Sequence, residues 1–258
     1  MTRTSSYFNF RWAFAVIPFM LSLAGCDSSW SMAEGEDDPT EDTGNLPAAF
    51  DHFTDDVTVT LDGNEIVLVT TGVPNHGSPY FATGTDQYEA YNGTNPNFRL
   101  NPNQIRAAER TYRIPLNPQE ASTKSATPLG PIGISVNGVP IYNQYAGPDQ
   151  PLTREIDSFD QYNGHPQNFG EYHYHIEPLY ITATRGRDAL IGFLLDGFPV
   201  YGPEENGRTV TNADLDEYHG HFGPTPDYPD GIYHYHITDQ DPYINGNGFF
   251  GTAGTVTR

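Results

Sequence analysis

A single cysteine, Cys26, occurs among the 258 residues. It stands near the N-terminus, so the body of the chain has no disulfide to brace it and no thiolate to bind metal or attack a substrate. All three methionines lie at positions 1, 20 and 32, which leaves the same region without thioether sulfur, the other soft donor that favours Cu(I). Basic residues are few: 12 Lys and Arg stand against 33 Asp and Glu, a net charge of −21. Such a surface repels nucleic acid and attracts cations. No Gly-x-Ser-x-Gly and no phosphate-binding loop appears, which removes the best-marked hydrolase and nucleotide-binding chemistries. The apolar run at residues 12–23 is too short to span a bilayer comfortably.

That run has another reading. Arg3 and Arg11 flank it on the N-terminal side, and "LAGC" at 23–26 places small residues directly before Cys26, as in the lipobox of bacterial lipoproteins. The expectation is a signal peptide over 1–25, cleavage before Cys26 and lipid attached there. This makes a lipid-anchored lipoprotein of the bacterial cell envelope, facing the periplasm or the exterior, with the membrane as its first partner. Loss of Arg3 and Arg11 leaves ten basic residues and a charge of −23. Residues 26–49, with "DSSWSMAEGEDDPTEDTGNLPAA" after the cysteine, are acidic and poor in large apolar side chains, the composition of a disordered tether. Residues 50–258 remain for one folded domain.

With 26 Gly, 22 Pro, 17 Tyr and 15 Phe, that domain reads as mainly β: a compact β-sandwich or barrel-like unit of short strands, with few short helices. "DDVTVTLDGNEIVLVTT" alternates β-branched and polar residues about Asp62-Gly63-Asn64 and predicts a hairpin. "NPNQIRAAER" predicts a helix over about 102–110, with Asn101 as cap. The second half repeats itself. "GISVNGVPIY" at 133–142 aligns with "GFLLDGFPVY" at 192–201, "DQYNGH" at 160–165 with "DEYHGH" at 216–221, and "GEYHYHIEP" at 170–178 with "GIYHYHITD" at 231–239. A unit of about 60 residues has been duplicated, the copies running over about 133–178 and 192–243. Asn-Gly and Asp-Gly between apolar flanks predict a two-residue hairpin loop in each copy.

The Tyr-His-Tyr-His stretches hold four of the nine histidines. On a strand His173 and His175 share one face and Tyr172 and Tyr174 the other, as do His234 and His236 opposite Tyr233 and Tyr235. Two imidazoles at i and i+2 converge on a metal from one stiff element, and the Gly-His pairs offer a third donor, His165 or His221. His76, in "TTGVPNHGSP", is a further candidate ligand, while His219 aligns with Asn163 and shares no role with it. Asp160 and Asp216 precede each Gly-His at equal spacing and are candidates to orient an imidazole through its second nitrogen, or to form turns. Two arrangements stay open: a three-histidine site in each copy with a free fourth position, or one shared site of four imidazoles. Copper or zinc suits such donors best. The oxygen-rich "DLDEYHG" and "DQDPYINGNG" add calcium as a weaker candidate, although neither fits the twelve-residue calcium loop.

"TGVPNHG", "NGVPIY", "GHPQNFGEYHYH", "DGFPVYGP", "DLDEYHGH" and "GIYHYHITDQDPY" together resemble the blocks of the bacterial YHYH-domain family, over about 57–251. The resemblance implies a secreted or lipid-anchored domain with His173, His175, His234 and His236 in the name-giving motif. It supplies no reaction. It also implies cysteines near the Gly-His blocks and the C-terminus, where this chain has Tyr162, Tyr218 and "NGNGFFG", so here those loops are held by packing. Three functions compete: a tethered metal buffer or delivery protein, a metal-dependent hydrolase or oxidoreductase with an open three-histidine site and Asp196 or a tyrosine as acid or base, and a metal-free structural or binding module.

Overall fold

The computed structural model describes residues 46–258. The signal peptide, Cys26 and most of the tether lie outside them. The first turn, Ala48–His52, already buries Ala49 and Phe50 in the core, so packing begins slightly ahead of the boundary at 50.

The domain is mainly β and sandwich-like, and no sheet among the described residues closes into a barrel. Strands β1 (Val57–Asp62), β2 (Glu65–Thr70) and β3 (Arg110–Pro115), with the C-terminal β12 (Thr255–Thr257), form a four-stranded antiparallel sheet. Asp62 pairs with Glu65, and Gly63 takes φ +61° in the turn between them. Ile66, Leu68, Tyr112 and Ile114 of this sheet join Ile132, Ile134, Phe193 and Tyr235 of the second sheet in one buried cluster.

The second sheet has eight strands, drawn equally from the two repeats. From the first come β4 (Pro131–Ser135), β5 (Pro140–Tyr142), β6 (Gly164–Pro166) and β7 (Tyr172–Tyr174). A helix, α1 (Leu179–Arg185), leads into the second repeat: β8 (Leu190–Leu194), β9 (Pro199–Tyr201), β10 (Gly220–Gly223) and β11 (Ile232–His236). The order across the sheet is β10-β11-β9-β8-β4-β5-β7-β6, which reads the same from either edge once repeats are exchanged. At the seam β4 and β8 run antiparallel with Ile134 opposite Phe193, Gly133 opposite Leu194 and Ser135 opposite Gly192. Ile134 therefore faces its own counterpart, while Gly133 and Ser135 each face the counterpart of the other, and a local twofold axis passes through the Ile134–Phe193 pair. Glycine is required at this seam. A Cβ on Gly133 would fall on the Phe193 carbonyl, and one on Gly192 on the Ile134 carbonyl.

Two expectations change. Residues 101–109 form no helix, because their backbone is claimed by other segments: Ile105 N donates to Tyr80 O, Arg106 N to Gly170 O and Ala108 N to Thr71 O. The Asn-Gly and Asp-Gly loops each hold three residues rather than two. Gly138 N donates to Ser135 O and Ser135 N to Val139 O, with Gly197 and Leu194 matching them, and glycine alone takes positive φ, +81° and +83°.

Candidate metal centres

The strand registers assemble two triads of histidine. In the first half β6 lies antiparallel to β7 with His165 directly opposite His173, and His175 follows two residues on. In the second half β10 pairs with β11, placing His221 opposite His234 with His236 beyond. Alternation and cross-strand pairing thus put three imidazoles on one face of each half. Gly-His is part of the same device. A Cβ on Gly164 would enter the Tyr172 ring and one on Gly220 the Tyr233 ring, so only glycine lets each short strand close on its neighbour.

In the first triad Nε2 of His173 lies 3.1 Å from that of His165 and 3.0 Å from that of His175. The other ring nitrogens fix the protons. His173 Nδ1–H donates to the Glu171 carbonyl and His175 Nδ1–H to the Asn143 carbonyl, acceptors that carry no hydrogen of their own. Ser158 Oγ gives its proton to the Glu155 carbonyl, 2.8 Å away, and so accepts from His165 Nδ1–H at 2.7 Å. All three Nε2 atoms therefore present lone pairs to one another. Lone pairs 3.0 Å apart do not hydrogen-bond.

The second triad repeats this arrangement at its two inner imidazoles. His234 Nδ1–H donates to the Ile232 carbonyl and His236 Nδ1–H to the Gly202 carbonyl, the counterparts of Glu171 and Asn143. The Nε2 atoms of His221, His234 and His236 are buried and have no hydrogen-bond partner among the described residues. Burial pushes His173 down to about 4 and His175 and His236 to about 3, and depresses His165 and His234 as well. These imidazoles are neutral near pH 7, as a metal ligand must be.

A carboxylate attends each triad, and neither was foreseen. Glu155 Oε2 is 3.8 Å from His165 Nε2 and 3.7 Å from His175 Nε2. Glu205 Oε1 is 3.6 Å from His221 Nε2 and 3.4 Å from His234 Nε2, and its ligand atom groups with all three imidazoles. Each triad opens on a cleft. That of the first measures ≈ 640 Å³ and includes Tyr142, Glu155 and Asn143; that of the second, ≈ 430 Å³, includes Tyr201, Glu205 and Pro226.

Other candidates stand apart from the triads. His76 lies on the tyrosine side of β7: its Nδ1–H donates to the Gly77 carbonyl and its Nε2 accepts from Tyr174 Oη at 3.0 Å. Asp160 and Asp216 hydrogen-bond to no imidazole of either triad. Each accepts backbone N–H groups of its own turn, at Tyr162 and Gly164 or at Tyr218 and Gly220, and a phenol from the strand, Tyr172 or Tyr233. Their role is turn formation, and backbone carbonyls and Ser158 orient the imidazoles instead. His219 sits at φ +74° where Asn163 sits at +65°, and its Nε2 meets Thr238. Asp196 is buried under Tyr235 Oη at 2.7 Å, on the tyrosine side and away from the triad, so it cannot serve there as acid or base. In the oxygen-rich "DLDEYHG", Asp214 closes a capping box with Thr211 and Asp216 its turn. The four YHYH tyrosines anchor each strand to the turns of its own repeat.

Fold and site together define a duplicated β protein with a histidine triad and a carboxylate in each half. The family model described as YHYH protein matches residues 111–208 and 204–248, just over half of the chain, and the protein belongs to that family. No curated protein and no solved structure gives a significant match.

Proposed function

We propose that this is a membrane-tethered, extracytoplasmic protein that binds a transition metal ion, copper or zinc, at each histidine triad and serves as a metal buffer or delivery protein. One observation carries the reading: three buried Nε2 atoms of the second triad converge with no hydrogen-bond partner among the described residues. Each such atom costs about 1–3 kcal/mol when left unsatisfied, and a cation is what three converging lone pairs accept. The spacing suits it. Donors held tetrahedrally at about 2.0–2.1 Å from one ion stand about 3.4 Å apart, a value bracketed by the nitrogen contacts of 3.0–3.1 Å and the carboxylate contacts of 3.4–3.8 Å. Three neutral imidazoles and one carboxylate suit Cu(II) or Zn and are poor donors for calcium.

Glu205 groups with all three imidazoles and supplies a fourth donor to the second triad, while Glu155 stands beside His165 and His175 of the first; a fourth donor favours holding over catalysis. The open clefts support a second reading, a metal-dependent hydrolase or oxidoreductase, in which the carboxylate leaves the ion to admit substrate. A metal-free packing role is the least supported, since packed imidazoles would find partners for Nε2.

The decisive test is metal content by mass spectrometry of the full chain, purified in detergent without an affinity tag, beside a variant with His173, His175, His234 and His236 changed to alanine. Near two equivalents in the parent, lost from a variant whose circular dichroism is unchanged, supports the reading. A parent that carries no metal and takes up neither copper nor zinc tightly ends it.

A further inference from the structure

The two triads match in their inner histidines and differ in the outer one. His165 is caged: its side chain is 6 % exposed, Ser158 holds Nδ1, Phe159 lies edge-on at 4.7 Å, and the Ser158 carbonyl is itself fixed by the Tyr80 phenol. His221 has no counterpart to Ser158. Its side chain is 29 % exposed, nothing among the described residues hydrogen-bonds its ring, and its strand neighbour Phe222 is 72 % exposed. The carboxylates, 35 % exposed at Glu155 and 28 % at Glu205, differ in the backbone that carries them. Glu155 shares its backbone with the Ser158 turn, which is pinned through Ser158 N and Oγ to the Glu155 carbonyl. Glu205 rides on a two-residue strand, Glu204–Glu205, whose hairpin to Arg208–Thr209 turns through Asn206 and Gly207.

Held ligands bind without an ordering cost, and loss of a group that orients a metal ligand typically lowers affinity 10–100-fold. We infer that the two sites are unequal: the triad of His165, His173 and His175 retains a resident ion, whereas that of His221, His234 and His236 is the exchange site, where metal enters and leaves past its least-held ligand, His221. This rests on the reading of the triads as metal sites.

Chelator-driven release from the zinc-loaded full chain, followed with a chromogenic zinc chelator, tests it. The expected result is two phases of one equivalent each, separated by at least about tenfold. His234→Ala should abolish the fast phase alone and His173→Ala the slow phase alone. Ser158→Ala, a milder change, should speed the slow phase about 10–100-fold and leave the fast one untouched. Equal rates for both ions, or a slow ion that survives in His173→Ala, overturns the inequality while leaving two metal sites in place. A parent chain that loads no zinc or copper overturns the underlying reading.

Discussion

At the scale of single residues, the YHYH stretch does two jobs on its two faces, and these can be separated by substitution. Tyr235 Oη donates to the buried Asp196 carboxylate and accepts from Phe250 N. Tyr235→Phe should therefore cost about 1.5–3 kcal/mol in urea unfolding while metal content stays at the parent level; loss of metal in a folded variant would place the phenol in the site. His76 offers a test by pH. Burial lowers it from 6.5 to about 4, so the unfolded chain takes up a proton before the folded chain does. Its contribution is complete above pH 6.5 and lost as the pH falls towards 4, roughly 3 kcal/mol in all. Unfolding of the metal-free chain at pH 7.5 and 4 should show a drop that is smaller by about that amount in His76→Gln; identical slopes would contradict the burial argument. The six triad histidines were legible in the sequence because period-two alternation and a repeated Gly-His leave a mark. Glu155 and Glu205 were not: they follow the repeat's terminal tyrosine by 13 and 4 residues, so no shared spacing points to them. Asp160 and Asp216 misled for the opposite reason, since a spacing kept for an Asx turn looks the same as one kept for a ligand.

Among the elements, the seam between β4 and β8 decides the architecture. Gly192→Ala would drive a methyl into the Ile134 carbonyl and Ser135 backbone, which cannot yield without separating the halves. The expected loss is about 3 kcal/mol or more. Gly63→Ala is the control: it has a positive φ but open space around it, and should cost only about 1–2 kcal/mol. Comparable urea midpoints for the two variants would show that the seam tolerates expansion. The hairpins at Gly63, Gly138 and Gly197 were readable because turn chemistry is local, even where the loop proved one residue longer. The segment at 101–109 was misread because its fate is settled by carbonyls of Tyr80, Gly170 and Thr71, which are far away in sequence. The helix Leu179–Arg185 escaped notice for a related reason: β-branched Ile and Thr weaken its local signal, and burial of Ile181 and Thr182 supplies what propensity lacks.

For the whole molecule, the sequence disclosed a duplication but left one shared site and two separate sites equally open, because nothing in a linear repeat says which strands meet at the seam. The sheet order decides. Between β7 and β11 lie β5, β4, β8 and β9, five strand spacings of about 4.8 Å, so the histidine pairs are held about 24 Å apart and cannot share an ion. At that separation, with no ligand in common, the two sites should act independently. An ion that binds only the folded chain stabilises it by about 2.7 kcal/mol at a concentration 100 times its dissociation constant, and two independent ions contribute twice that. With both sites saturated to that degree, denaturant titration with and without zinc should give the parent about 5.4 kcal/mol of added stability, His173→Ala and His234→Ala about half each, and the double variant none. A single variant that lost the entire effect would mean that the halves fold and bind as one coupled unit, and the twofold seam, rather than the individual triad, would then be the element that metal acts upon.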